Sequence, residues 1–71
     1  MTVFIKKVAD IARLVKEARL EQGFTQVRLA QLCNVGTRFI VDLEKGKTTC
    51  QLDKTLHVLV NLGIRLEYNQ L

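Results

Sequence analysis

Residues 24–47, FTQVRLAQLCNVGTRFIVDLEKGK, hold two short apolar-periodic runs separated only by Asn34, Val35 and Gly36. Thr25 is an N-cap residue for the first run, Gln26 to about Cys33, in which Val27, Leu29, Ala30, Leu32 and Cys33 supply the apolar content. After glycine, asparagine best tolerates the left-handed backbone of a helix terminus, so the chain turns at Asn34, and Gly36 opens the next helix. That helix, Thr37 to about Lys45, has its core line through Ile40 and Leu43 and turns Arg38, Val41, Asp42 and Lys45 the other way, with Thr37 at its leading edge. Phe39 lies nearer the buried edge. Helices this short are not stable alone, so the pair must be packed by the rest of the chain.

The flanking sequence supplies that support. Ile11, Leu14, Val15 and Ala18 give a helix from Ala9 to Gln22, with Lys16, Glu17 and Glu21 on its wet side and Gly23 as its stop. A fourth helix, about Gln51 to Leu62, is expected to pack through Leu52, Leu56, Leu59, Val60 and Val58, leaving His57 off the line as a surface residue. After Gly63 the period becomes two, because Ile64, Leu66 and Tyr68 alternate with Arg65, Glu67 and Asn69. A strand over about 64–69 is expected. It needs a partner, and Val3, Phe4 and Ile5 could join or cover it.

At 71 residues the chain makes a single domain, too small for a large internal active site. Eleven Lys and Arg against seven Asp and Glu leave a net charge of +4, which favours an anionic partner. Cys33 and Cys50 are too few for a disulfide framework and have no neighbouring ligand set for zinc. Cys33 falls on an apolar helix position, as a small core residue. MTVFIKK lacks the order of a signal peptide, and no run reaches the roughly 18 apolar residues of a membrane span. An intracellular protein without metal or cofactor is expected.

Two helices joined by a three-residue turn make a helix-turn-helix arrangement, whose second helix can enter a major groove of double-stranded DNA. Thr37 and Arg38 put hydrogen-bonding side chains at its N-terminus. Arginine gives guanine O6 and N7 two parallel hydrogen bonds, and Val41 can touch a thymine methyl. Asp42 is either an acceptor for cytosine N4 or a charge that repels wrong partners. Gln26, at a helix N-terminus, and Lys45, Lys47, Thr48 and Thr49 suit phosphate contacts. The plain alternative is that these are ordinary solvated side chains.

The segment GFTQVRLAQLCNVGTRFIVDLEKGK, with Thr-Gln opening its first helix and Ile-x-x-Leu-Glu-x-Gly closing its second, resembles the Cro/C1-type helix-turn-helix repressors over about residues 9–62. More narrowly, VGTRFIVDLEKGK, a leucine-rich helix and LGIRLEY are similar to the HipB-like antitoxins. The resemblance implies a mainly α fold, a compact four- to five-helix lambda-repressor-like domain with the helix-turn-helix at about 25–45 and a short C-terminal β-strand. It also implies a cytoplasmic, nucleoid-associated repressor that acts as a homodimer on an inverted-repeat operator, represses its own operon and binds a HipA-type kinase toxin. Matched residue by residue, it assigns Gln26 to phosphate, Thr37, Arg38, Val41 and Asp42 to the groove, and Arg19 with Glu44 to a structural pair. Ile64, Leu66 and Tyr68 are the expected dimer residues. Asn34 stands where the family commonly has glycine, and Val41 and Asp42 stand where uncharged polar residues are usual.

Other readings remain open at this point. An enzyme is disfavoured, with no nucleophile beside a base, no carboxylate pair and no glycine-rich phosphate loop. A stand-alone or phage-type repressor would use the same residues without a toxin, and a protein-interaction module would use the same helices without DNA.

Overall fold

A helix start is fixed where side chains of its first turn and cap exchange hydrogen bonds with the backbone at its mouth. Asp10 Oδ2 accepts from the backbone N–H groups of Lys6 (2.8 Å) and Lys7 (3.1 Å), and Thr25 Oγ1 accepts from that of Arg28 (3.0 Å). The Lys6 N–H above all, aided by Lys7 and Arg13, holds the Asp10 carboxyl below the usual carboxylate range. In the computed structural model, which describes residues 3–68, these starts belong to α1 (Val8–Glu21) and α2 (Gln26–Cys33). α3 (Thr37–Glu44) and α4 (Leu52–Asn61) follow. The expected boundaries hold to within a residue or so, the ordinary uncertainty of a helix end.

Each helix stops in the same way. A left-handed residue follows it, and the next N–H returns to a carbonyl five residues back: Phe24 to Arg19, Val35 to Ala30, Lys47 to Asp42 and Ile64 to Leu59. In the turn between α2 and α3 that residue is Asn34, at φ 55° and ψ 45°. Gly36 needs no such freedom, since φ is −69° there. Gly46 does, because φ is +79° there.

The core is built from all four helices. Val15, Leu29, Ala30, Cys33, Ile40, Leu43, Val58, Leu59 and Leu62 form one buried cluster. Burial raises the pKa of the Cys33 thiol, as fits a small core side chain. Phe39 is half-buried against the cluster, with Lys54 Nζ 6.0 Å from its ring centroid, so it packs rather than projects. Gln22 Nε2 donates to the Leu62 carbonyl at 2.8 Å, tying the end of α1 to the end of α4. No helix among the described residues is long and apolar enough to cross a membrane.

Two expectations are corrected. The first concerns α4, whose inward residues are Thr55, Val58 and Leu59, followed by Leu62, while Leu52 and Val60 are 69% and 71% exposed and Leu56 is also exposed. Thr55 is tolerated in the core because its hydroxyl donates to the Gln51 carbonyl at 2.9 Å. Secondly, residues 64–68 form no strand, since a ladder needs a second strand and the described residues place none beside them; Asn69 lies outside the described residues. Ile64 is half-buried on the core, whereas Leu66 and Tyr68 are exposed, and so are Val3, Phe4 and Ile5. The four helices among the described residues fall within the expected four to five.

The turn at Asn34 gives a direct test. Asn34→Gly should leave stability within a few tenths of a kcal/mol, whereas Asn34→Val should lose about 2 kcal/mol because a β-branched side chain is strained at positive φ. Thermal unfolding checks this. Equal midpoints for Asn34→Val and the wild type would mean that the turn does not need its left-handed residue.

Candidate nucleic-acid interface

The presentation of α3 begins with a charge taken out of water. Arg19 on α1 and Glu44 at the end of α3 are nearly buried, with side chains 9% and 4% exposed. Two parallel bonds join them, Nε to Oε2 at 2.7 Å and Nη2 to Oε1 at 3.0 Å. The remaining terminal nitrogen, Nη1, donates to the Phe24 carbonyl at 2.9 Å, and Gln26 Nε2 donates to Glu44 Oε1 at 3.2 Å. Every buried side-chain polar atom among the described residues has a partner. This bidentate geometry fixes both distance and orientation between α1 and α3.

Gln26 is thus part of the support as well as a candidate phosphate ligand. Its amide nitrogen carries two N–H donors and Glu44 takes one, so the other remains for an outside acceptor. It sits at the mouth of α2, where the N-cap hydroxyl already serves Arg28, and where the helix end favours an anion.

On α3, Ile40 and Leu43 are buried as the periodicity requires. Thr37 and Arg38 are exposed, and Val41 and Asp42 are half-buried. Arg38 is the most open of the four, with a side chain 80% exposed. Asp42 does not stand alone: Arg38 Nε lies 3.3 Å from its Oδ1 and Lys47 Nζ 3.5 Å from its Oδ2. Lys45, Thr48 and Thr49 are exposed in and after the turn that ends α3, without a side-chain hydrogen bond or ion pair among the described residues. His57 is exposed and faces the Asn61 amide at 3.3 Å within its own helix.

Sequence comparison gives this geometry a family. The helix-turn-helix family model matches residues 15–59. The chain is also 51% identical over 63 residues, covering 89% of it and 83% of the relative, to the uncharacterized HTH-type transcriptional regulator y4mF of Sinorhizobium fredii. The chain belongs to the Cro/C1-type helix-turn-helix regulators. Among solved structures, a HipB-O4 20mer complex superposes with a TM-score of 0.86, and a HipA-HipB-O2-O3 complex with 0.87. Each is 20% identical and covers 97% of this chain and 97% of its own, which establishes a shared fold.

As a helix-turn-helix regulator, the protein is a DNA-binding transcriptional regulator rather than an enzyme. Sequence reasoning found the ends of the supporting pair but missed its other two members, the Phe24 carbonyl and the Gln26 amide. It also missed the link from Lys47 to Asp42. A basic residue five positions after an acidic helix residue, beyond a glycine stop, is a weak signal because a helix end usually sends the chain elsewhere.

Breaking the supporting pair should unfold the motif rather than merely loosen it. Glu44→Ala is expected to cost about 3 to 5 kcal/mol, since it leaves Arg19 charged and buried without a counter-charge. The double-mutant cycle with Arg19→Ala should give a coupling well above the 0 to about 1 kcal/mol of an exposed pair. Denaturant titration measures it, and additive losses would reject the pair as a support.

Proposed function

We propose that this regulator is a HipB-like antitoxin. In this reading it is a homodimeric repressor that binds an inverted-repeat operator, controls its own operon in the cytoplasm and binds a HipA-type kinase toxin. The observation that carries the DNA half is α3 itself, clamped from behind by Arg19 and Glu44 and packed through Ile40 and Leu43, with Thr37 and Arg38 left open to a partner. Thr37, Arg38 and Val41 face the bases, and Gln26, Lys45, Lys47, Thr48 and Thr49 take the phosphates. The toxin half is supported by the likeness in fold to HipB, including the structure in which HipB is complexed with HipA.

The dimer is supported by apolar surface that the single chain leaves open. Leu52, Leu56 and Val60 lie four residues apart along α4 and are exposed, as are Leu66 and Tyr68 beyond it. Leu56, Leu59, Val60, Ile64, Arg65 and Leu66 line a groove of about 260 Å³. A second copy of the chain completes it: the two α4 rows pack together, and the tails carrying Leu66 and Tyr68 pair as strands once each has the other. Ile64 contributes from the core side.

Three measurements test the reading. With Lys45 and Lys47 from both subunits on phosphates, affinity for operator DNA should fall about a hundredfold between about 50 and 200 mM salt, at a log-log slope of about −0.9 per neutralised phosphate. A flat salt response would point to a protein-interaction module. Val60→Glu, at an exposed position, should give a folded monomer by sedimentation with weakened operator binding, and a tight dimer would remove α4 from the interface. If a kinase-type reading frame adjoins the gene, expressing this chain should relieve the arrest its product causes. Without such a neighbour the protein is a stand-alone repressor, the reading in keeping with its Sinorhizobium relative's description as a transcriptional regulator.

A further inference from the structure

Asp42 is the odd residue on a face meant for a polyanion. An unpaired carboxylate there would repel phosphate, yet its side chain is only 17% exposed and each of its oxygens is already engaged. Oδ1 lies 3.3 Å from Arg38 Nε, Oδ2 lies 3.5 Å from Lys47 Nζ, and the Asp42 carbonyl accepts the Lys47 backbone N–H at 3.1 Å. Lys47 is therefore anchored to the same residue twice.

Helix stability gains little from the arrangement. Arg38 stands in the first turn of α3 and Asp42 in the last, so each charge is at the end of the helix dipole that disfavours it. The order, cation before anion at i and i+4, is also the weaker one for an isolated helix. What the pairing does is geometric. It contacts the guanidinium at Nε, which leaves the two terminal nitrogens unshared, and those parallel donors match O6 and N7 of guanine. The three charges together are net positive, so the group is still drawn to DNA.

Resting on the reading of α3 as the helix that enters the groove, we propose that Asp42 is a positioning residue. It reads no base, but fixes the direction of Arg38 toward one base pair and keeps Lys47 at the adjoining backbone. A cytosine amino group would have to share an oxygen that already faces a cation. Without the carboxylate, Arg38 is free to swing to the nearest phosphate, which binds without reading sequence.

The test starts from the purified full chain and a randomised duplex library, from which the wild type enriches its own site. Affinities of the wild type, Arg38→Ala, Asp42→Ala and the double variant are then measured at one salt concentration on that site and on its single-base-pair variants. Asp42→Ala should relax preference about tenfold at the base pair relaxed by Arg38→Ala, and should add nothing further in the double variant. Asp42→Glu should restore part of that preference. Three results would overturn the proposal: loss of preference at a different base pair, which would make Asp42 a reader; uniformly tighter binding to every sequence, which would make it only a repulsive charge; or strictly additive losses. A wild type that enriches no sequence and binds no DNA would overturn the underlying reading, and the proposal with it.

Discussion

The Arg19 to Glu44 pair determines how the rest of the motif can be used. Two charges removed from water cost more in desolvation than their attraction returns unless the geometry is close and the other donors are satisfied. Here the guanidinium spends its three nitrogens on two carboxylate oxygens and the Phe24 carbonyl, and the carboxylate takes a third donor from Gln26. An apolar pair of similar volume could be as stable, but it would tolerate sliding and rotation. The ion pair does not, because its parallel bonds fail when either helix turns. One cluster thereby fixes α1, the mouth of α2 and the end of α3 against one another, and the way the outer face of α3 is turned follows from it.

How far this was legible in the sequence varied with the physical signal. The turn was legible because Asn34 and Gly36 bracket a single residue between two helical periods, and Ile40 and Leu43 left no other face of α3 for the core. The buried pair was not: residues 25 positions apart carry no local sign of contact, and only resemblance to a family linked Arg19 with Glu44. Gln26 was recognised by its position at a helix start, but its bond to Glu44 depends on the packing of α2 against α3.

α4 was misread for a different reason. At about 100° per residue its apolar side chains cover about 200° of arc, from Val58 through Leu62 and Leu59 to Leu52, Leu56 and Val60, with Thr55 between Leu62 and Leu59. Such a helix has two apolar faces, and periodicity does not say which is its own core. The structure chose the face holding Thr55, whose hydroxyl satisfies itself within the helix, and so disguised a polar residue as a core one. The tail raises the same difficulty, since alternation of Ile64, Leu66 and Tyr68 with charged neighbours describes two faces of a strand but not the strand beside it.

The doubled apolar face of α4 and the small size of the reading surface bear on one another. A chain this short buries only about 60% of the surface its unfolded form exposes, so a second apolar face on its last helix exceeds what one copy can hide. Likewise, under the proposed reading, Thr37 and Arg38 on a two-turn helix would offer too few base contacts for one copy to hold a specific site against non-specific DNA. Association answers both needs at once if Leu52, Leu56 and Val60 are covered in the species that meets DNA. Folding of the dimer and occupancy of the operator then depend on the same protein concentration. In that proposed dimer, any partner that covered or remodelled the α4 face would change DNA affinity without touching α3.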